Sequence, residues 1–221
     1  FRLDWPGKRE ALLTANAPIA KTLRPSREDS SNYETTQNLF IEGDNLDALK
    51  LLQESYLGKV KMIYIDPPYN TGSDFIYNDD FAETYEEFLR RSNQVDHEGG
   101  SLVANPDSEG RYHSEWLSMI YSRLKVARNL LSDNGLIFIS IGDDEQANLK
   151  KVCDEIFGVS NFLGCACRVA KKANNQGDYW SPNFDYILTY AKYKDYCDVF
   201  FGGMNYSAYN LVDDNGPRAG E

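Results

Sequence analysis

The stretch KVKMIYIDPPYN, residues 59–70, decides the fold, because it joins a strand to a chemically unusual loop. The apolar run Val60–Ile65 predicts a buried strand. Directly after it come a carboxylate, two prolines and an aromatic ring, Asp66 to Tyr69. Two prolines remove two backbone donors where the strand meets the loop, which is a poor arrangement for stability alone. The stretch therefore indicates a functional site at a strand end.

On the amino-terminal side, the pattern continues as a strand and a helix. Residues 38–44, NLFIEGD, predict a short strand closed by Gly43 and Asp44. Residues 45–56, NLDALKLLQESY, carry leucines at helical spacing and predict a helix capped by Asp44 or Asn45. Strand, helix and strand in this order form a βαβ unit, which crosses over into a parallel sheet.

On the carboxyl-terminal side, residues 70–111 are acidic and rich in glycine, which predicts a long irregular loop with one helical segment near residues 83–91. A stripe of apolar residues from Trp116 to Leu131 then predicts a second helix. Asn134 and Gly135 are typical of the end of a helix, so we expect the helix to stop there.

The remaining pattern completes an α/β arrangement. Residues 136–142, LIFISIG, predict a fully buried strand, and Asp143 with Gln146 three residues later predicts a capped helix. Residues 161–170 and 184–191 both predict strands. The predicted fold class is α/β, an open, doubly wound and mostly parallel sheet.

This pattern also suggests a division of the chain. Residues 1–37 mix prolines with polar clusters and are predicted to form an amino-terminal arm. Residues 38–200 contain all the predicted elements and form the catalytic part of a domain. Residues 201–221 are predicted to begin a separate region.

Composition restricts the classes of function. The 221 residues carry a net charge of −11, which argues against a protein that coats nucleic acid by phosphate neutralisation but permits an enzyme with a local basic groove. No apolar run is long enough for a membrane span, so we expect a cytoplasmic protein without membrane contact. A zinc site would need His97 or His113 beside two thiols, and small buried thiols in a reducing cytosol are the favoured interpretation of the four cysteines: Cys153, Cys165, Cys167 and Cys197.

The residue types at the strand end fit one kind of ligand. In open α/β sheets, ligands bind beyond the carboxyl ends of the strands. Asp66 offers carboxylate acceptors, Pro67 offers a carbonyl held stiffly by Pro68, and Tyr69 offers a face for stacking. Two acceptors beside an aromatic plane suit an exocyclic amino group such as adenine N6. Acceptors at both N–H groups favour a pyramidal nitrogen whose lone pair can attack, and they stabilise the positive charge that develops there.

The sequence resembles a known family over nearly its whole length. DPPY after an apolar strand is similar to the catalytic motif of amino-group DNA methyltransferases that use S-adenosylmethionine. The longer segments NLFIEGDNLDALKLLQ, KVKMIYIDPPYNTGSDFIYNDDF, GLIFISIGDDEQANLKKVCDEIFG and FDYILTYAK resemble the modification subunit of type III restriction-modification systems. The resemblance implies methylation of adenine N6 in double-stranded DNA by base flipping. It also implies a homodimer and a restriction partner with helicase and nuclease functions.

The resemblance assigns roles to particular residues. Asp66, Pro67, Pro68 and Tyr69 are implied to be catalytic and to hold the adenine, and Asp44 and Asp66 to lie beside the cofactor. Phe184 occupies the place of an aromatic or histidine residue that packs on the flipped base, although relatives commonly read HDYIL or HEYIL there. Asp44 also fits a simple helix cap, Phe184 fits ordinary core packing, and no metal is expected.

One family feature is missing from the 221 residues. Enzymes of this permuted type carry a Phe-x-Gly-x-Gly cofactor loop after the target-recognition region, and FFGGM at residues 200–204 does not match its spacing. The resemblance therefore implies that residues 38–200 are the catalytic front part of a permuted and incomplete domain and that residues 201–221 are the start of its target-recognition region. We expect the chain to be inactive alone and to bind S-adenosylmethionine no more tightly than millimolar. The alternatives are a docking module without catalysis, or an enzyme that modifies cytosine N4 or RNA.

Overall fold

The computed structural model describes residues 3–71, 109–169 and 183–198. Its centre is one sheet of four strands, namely β1 (Val60–Ile65), β2 (Leu131–Ile141), β3 (Phe162–Val169) and β4 (Phe184–Ala191). The strands lie in the order β1-β2-β4-β3. β1 and β2 are parallel, and their register places Ile65 opposite Ile139. β4 is antiparallel to both of its neighbours.

Four helices accompany this sheet in the described part of the chain, namely α1 (Lys8–Asn16), α2 (Asn45–Tyr56), α3 (Glu109–Leu130) and α4 (Asp143–Phe157). Short 3-10 turns follow α4 and β4, at Val159–Asn161 and Lys194–Tyr196. α3 and α4 contact each other and the sheet, and α1 and α2 pack against α3. None of these helices is long and apolar enough to cross a membrane.

The main core lies between α3, α4 and one face of the sheet. Ile137, Ile139 and Ile141 alternate along β2 and are fully buried, as expected for one face of a strand. α3 and α4 cover them with side chains at helical spacing: Trp116, Ile120, Leu124, Leu149, Val152 and Ile156. The burial of this apolar surface holds the sheet against the two helices and so fixes the position of the carboxyl end of β1.

The α/β class is confirmed, but the prediction of a mostly parallel sheet is wrong for the described strands. Only the β1–β2 pair is parallel, and both pairings of β4 are antiparallel. β3 and β4 follow each other along the chain and pair directly, and antiparallel pairing needs no crossover helix between them. β2 and β3 are joined through the crossover helix α4 and run parallel to each other, so β4, which is antiparallel to β3, is antiparallel to β2 as well.

The predicted strand at residues 38–44 is also wrong. This segment has no regular structure, and Leu39 and Phe40 are 68% and 92% exposed. An apolar run becomes a strand only where it finds a partner strand and a face to bury, and no described strand pairs with it. The helix that was predicted after it, α2, is confirmed at residues 45–56.

Two predicted element ends are wrong. α3 ends at Leu130 and β2 begins at once with Leu131, so Asn134 and Gly135 lie inside a strand with a register shift rather than at a helix end. A Cβ on Gly135 would lie 2.9 Å from the carbonyl oxygen of Val60, so glycine serves this close approach of the two strands. Asp143 is the first residue of α4, and the residue at the cap position is Gly142, which has no side chain to donate or accept.

The predicted arm contains a helix that the sequence pattern did not reveal. α1 packs against α3, and Ala11 is fully buried in the main core. Trp5 donates its indole N–H to Ser118 Oγ at 3.0 Å. The division into residues 1–37, 38–200 and 201–221 stays a prediction, and the third segment lies outside the described residues, as does the predicted helical segment near residues 83–91.

The four cysteines occupy different environments and are all free. Cys153 is buried, as expected, but Cys165 and Cys167 are exposed on β3 and Cys197 is half-buried. β3 is an edge strand, so its side chains lack the cover that a central strand receives. Among the described residues no three metal-binding side chains come together.

Candidate functional site

The Asp66–Tyr69 segment leaves the carboxyl end of β1, beside the end of the parallel strand β2. Ile65 pairs with Ile139, and β2 passes through Gly142 into the first turn of α4. Carboxyl ends of adjacent parallel strands are where open α/β sheets bind ligands. The structure therefore places the motif that the sequence predicted at the carboxyl ends of the parallel strands, where a ligand site is expected.

Two contacts with the scaffold hold the motif in place. The fully buried Trp116 of α3 donates its indole N–H to the carbonyl oxygen of Pro68 at 2.7 Å. The ring of Tyr69 lies against the backbone of Gly142, so close that a Cβ there would be 3.1 Å from the ring edge. Both contacts are made by residues with little freedom to move, so the motif is presented on rigid elements.

The Asp66 carboxylate and the Pro67 carbonyl take no part in these two contacts, and the Asp66 carboxylate lies within hydrogen-bonding reach of the Tyr69 hydroxyl. Asp66 is exposed at the end of β1. The carbonyl oxygen of Pro67, unlike that of Pro68, takes part in no hydrogen bond among the described residues. Asp66 and Pro67 thus offer the pair of acceptors that an amino group with two N–H donors needs.

Tyr69 faces a buried acid on β4 that sequence reasoning did not single out. Its hydroxyl donates to Asp185 Oδ2 at 3.4 Å. Asp185 in turn accepts two hydrogen bonds from the guanidinium of Arg168, at 2.8 and 2.5 Å, in the bidentate geometry that favours arginine over lysine. Arg168 lies on β3, directly opposite Asp185 in the strand register.

The charges around Tyr69 change how these groups titrate. Burial raises the pKa of Tyr69 to about 12, and the carboxylates of Asp66 and Asp185 act in the same direction. The hydrogen bonds from Arg168 lower the pKa of Asp185, which is therefore ionised at neutral pH. Tyr69 is thus a neutral ring with its hydroxyl as donor over the whole physiological range, suited to stacking rather than to proton abstraction.

Asn70 ends the motif in an unusual conformation and leads to a second buried acid. Its φ is +62°, in the left-handed region that asparagine tolerates better than most residues, and its side chain is buried. Nδ2 of Asn70 donates to Glu145 Oε1 at 2.6 Å. The same oxygen lies 2.5 Å from His113 Nδ1, and Asn148 donates to the other oxygen at 2.8 Å.

Asp44 is placed at the start of α2, where it caps the helix. Its carboxylate accepts from the backbone N–H of Asp47 at 2.9 Å and lies 3.8 Å from an Arg123 nitrogen. The side chain is 41% exposed. No contact among the described residues joins Asp44 to the DPPY motif. The helix-cap interpretation is therefore confirmed, and the cofactor-binding role stays a prediction.

Phe184 begins β4 and is 38% exposed. Its ring packs edge to face on Tyr186, with centroids 5.4 Å apart. Neighbouring residues of a strand point to opposite faces, so Phe184 points away from the face on which Asp185 meets Arg168. The predicted role of Phe184 beside the flipped base stays a prediction.

Sequence reasoning missed most of the partners that hold the motif: Trp116, His113, Glu145, Arg168 and Asp185. Trp116 and Asp185 contact the motif directly, and Glu145 contacts Asn70, the residue that follows the motif, across a separation of 75 residues. His113 and Arg168 act through Glu145 and Asp185. One signal was available for Glu145. Glu145 lies four residues before the buried Leu149 and therefore on the same apolar face of α4. An acidic residue at such a position indicates a polar side chain inside the core.

Comparison with known proteins gives the class to which this chain belongs. The family model described as DNA methylase, of the N6 and N4 methyltransferases, matches residues 60–215. The chain belongs to this family, and its α/β sheet with the DPPY motif at a strand end is in keeping with that membership.

The relatives that this chain resembles include modification subunits of type III systems. The chain is 40% identical to the EcoPI Mod subunit of Escherichia phage P1, over 90% of this chain and 31% of the relative. It is 40% identical to the EcoP15I Mod subunit of Escherichia coli, over 88% of this chain and 31% of the relative. The chain thus spans about a third of the length of these curated relatives. The solved PvuII DNA methyltransferase, which is cytosine-N4-specific, superposes with a TM-score of 0.39 at 12% identity, covering 66% of this chain and 47% of that chain.

Proposed function

We propose that this chain forms the catalytic part of a site-specific DNA methyltransferase, the modification subunit of a type III restriction-modification system. The observation that carries the proposal is the anchored DPPY motif, whose exposed Asp66 and unbonded Pro67 carbonyl stand beside the Tyr69 ring. The Mod subunits with 40% identity over about nine tenths of this chain support the same function.

The chemistry of the motif favours adenine N6 as the acceptor. The flipped base would stack on Tyr69 while Asp66 and the Pro67 carbonyl accept from the two N–H groups of the exocyclic amine. These acceptors stabilise the positive charge that develops on nitrogen as the new N–C bond forms. One proton then leaves the nitrogen, and the carboxylate of Asp66 is the nearest group of the motif to receive it.

S-adenosylmethionine would supply the methyl group as an electrophile on a sulfonium. Exposed carboxylates can accept hydrogen bonds from the cationic and hydroxyl groups of this cofactor. Asp66 is exposed, and the side chain of Asp44 is 41% exposed. We assign Asp66 and Asp44 to the cofactor side of the site on this ground. Double-stranded DNA, a restriction subunit and a second copy of the modification subunit are the partners proposed with this function.

The test is substitution of the motif acid in the intact protein. Asp66→Ala should lower adenine methylation at least about 100-fold, the usual effect of removing one group that stabilises transition-state charge, while DNA binding persists. Asp195→Ala is the matched control, because Asp195 is an exposed acid beyond the carboxyl end of the antiparallel strand β4, at the opposite end of the sheet. Its activity should equal that of the unmodified protein.

The outcomes separate the alternatives. Mass spectrometry of nucleosides should find N6-methyladenine in treated DNA. The detection of N4-methylcytosine or of methylated RNA instead would identify a cytosine-N4 methyltransferase or an RNA methyltransferase and refute our proposal. Methylation that survives Asp66→Ala would refute the site. A protein that binds DNA and partner subunits but never methylates would be a docking module.

A further inference from the structure

The inference starts from the turn that ends the DPPY motif. Asn70 directly follows Tyr69 and holds a φ of +62°, in the left-handed region, which asparagine adopts more readily than most residues but which still costs more than a right-handed turn. Asn70 is only 2% exposed, and its Oδ1 has no hydrogen-bond partner among the described residues. The hydrogen bond of its Nδ2 to Glu145 is therefore the polar contact that fixes the side chain.

Glu145 is unusual in its own right. It lies in the first turn of α4, yet no part of it is exposed to solvent. A carboxylate is expensive to bury and is kept only where it receives good hydrogen bonds. Those bonds come from three separate segments, because Asn70 belongs to the turn directly after the motif, His113 to α3 and Asn148 to α4 itself.

The position of Glu145 links the motif to the two helices of the main core. α4 starts just after Gly142, whose backbone supports the Tyr69 ring. α3 contributes Trp116, which holds the Pro68 carbonyl, and His113 one turn before it. A single buried acid thus joins the end of the motif to the same two elements that support its middle.

We propose that Glu145 is a positioning residue for methyl transfer, acting through Asn70. By holding Asn70 in its left-handed turn, Glu145 keeps Tyr69 against Gly142 and keeps Asp66 and Pro67, which precede Tyr69 in the chain, in fixed positions. The proposal rests on the proposed function for its kinetic consequence, since the acceptors matter only if an amino group is methylated there. Its structural part stands on the geometry alone.

The kinetic test uses two variants of the intact protein under single-turnover conditions, with enzyme in excess over DNA. Glu145→Ala removes every acceptor of the Asn70 amide and should slow methyl transfer about 10- to 100-fold, the scale of a displacement of reacting groups by up to 1 Å. Glu145→Gln keeps one oxygen for Asn70, and the half-exposed Asn148 can turn its own amide towards water. This variant should stay within about threefold of the unmodified rate.

Lys8→Met is the matched control for lost stability. Lys8 is 5% exposed and pairs with Glu155 at 2.7 Å, so its removal also disturbs a buried charge, but it touches no residue of the site. Its single-turnover rate should equal that of the unmodified protein at a similar loss of melting temperature. The proposal is overturned if Glu145→Ala transfers methyl groups as fast as Lys8→Met, or if Glu145→Gln is as slow as Glu145→Ala.

A second measurement does not depend on activity. The side-chain amide protons of Asn70, followed by NMR, should exchange slowly in the unmodified protein and in Glu145→Gln, and at least tenfold faster in Glu145→Ala. Equal exchange in all three would overturn the positioning role even in an active enzyme. A protein that shows this exchange pattern but methylates nothing would instead refute the proposed function and leave the role of Glu145 in fixing the turn intact.

Discussion

Gly142 determines how closely the Tyr69 ring approaches the end of the sheet. Its backbone is extended, with φ −83°, so alanine can adopt the conformation, but the added methyl would lie 3.1 Å from the ring. Tyr69 must then move by a few tenths of an ångström. Gly142→Ala should therefore slow methyl transfer about tenfold with little change in melting temperature, measured by single turnover and thermal unfolding.

The matched control is another glycine of the same sheet. Gly164 lies in β3, and a Cβ added there meets nothing within 4 Å. Gly164→Ala should leave both the rate and the melting temperature near those of the unmodified protein. An equal loss of rate in the two variants would mean that contact with the Tyr69 ring is not the cause.

Residue chemistry alone was sufficient to predict the motif but not its supports. Asp66 to Tyr69 indicate a functional site from sequence alone, because a carboxylate, two prolines and an aromatic ring in succession contribute little to stability. Asp185 and Trp116 could not be recognised in this way. Their contacts with the motif bridge 116 and 48 residues, and only the packed sheet and α3 bring them together.

At the scale of the element, Asp44 allows two roles to be separated. Asp44→Ala should lower the free energy of unfolding by about 1 kcal/mol, because α2 loses its cap, whereas Asp44→Asn should preserve it. Urea unfolding measures this difference. If Asp44 also lies beside the cofactor, Asp44→Asn should weaken S-adenosylmethionine binding in the intact protein at unchanged stability, as calorimetric titration would show. Unchanged affinity in Asp44→Asn would restrict this residue to capping.

The helices and strands differ in how far sequence predicted them. α2 has strong local signals, a cap and leucines at helical spacing, and it forms as predicted. Residues 38–44 carry an equally apolar run, but a strand depends on a partner that the local sequence cannot specify. α1 was hidden because the prolines around it resemble those of an irregular arm, although its alanines are buried on α3.

For the molecule as a whole, three tyrosines predict an alkaline limit of stability. Burial raises the pKa of Tyr69 to about 12, a hydrogen bond with Asp143 raises that of Tyr186 to about 12, and burial raises that of Tyr190 as well. Tyrosines of the unfolded chain ionise near pH 10. The folded state favours the neutral form, so this stabilisation is complete below pH 10, and the contributions of Tyr69 and Tyr186 are lost as pH rises from 10 to 12.

Absorbance and unfolding measured together test this expectation. Of the 15 tyrosines, at least three should stay protonated at pH 11 until urea unfolds the chain. The free energy of unfolding should fall steadily between pH 10 and 11. Tyr69→Phe should show a smaller fall, because phenylalanine has no proton to lose. Complete ionisation of all tyrosines in the folded protein at pH 11 would contradict the burial of Tyr69 and Tyr190 and the hydrogen bond between Tyr186 and Asp143.

The topology of the sheet was the part least accessible to sequence. Period and apolarity predicted β1, β3 and β4 in nearly their observed places and β2 without its first five residues, but they did not predict the direction in which β4 runs. That direction follows from the pairing of β4 with both β2 and β3, which is a property of the assembled sheet. The class of fold is thus readable from local patterns, and the mixed pairing is not.

Because the cysteines differ in exposure, their rates of labelling can report the local separation of α4 from the sheet. Burial raises the pKa of the Cys153 thiol, which suppresses the reactive thiolate, while Cys165 and Cys167 are accessible on the edge of the sheet. An alkylating reagent would label the exposed Cys167 first and Cys165 more slowly, because partial burial raises the pKa of the Cys165 thiol, and it would label Cys153 only when α4 separates from the sheet. The rate of the slow labelling phase would then measure how often this region opens locally in molecules that otherwise remain folded.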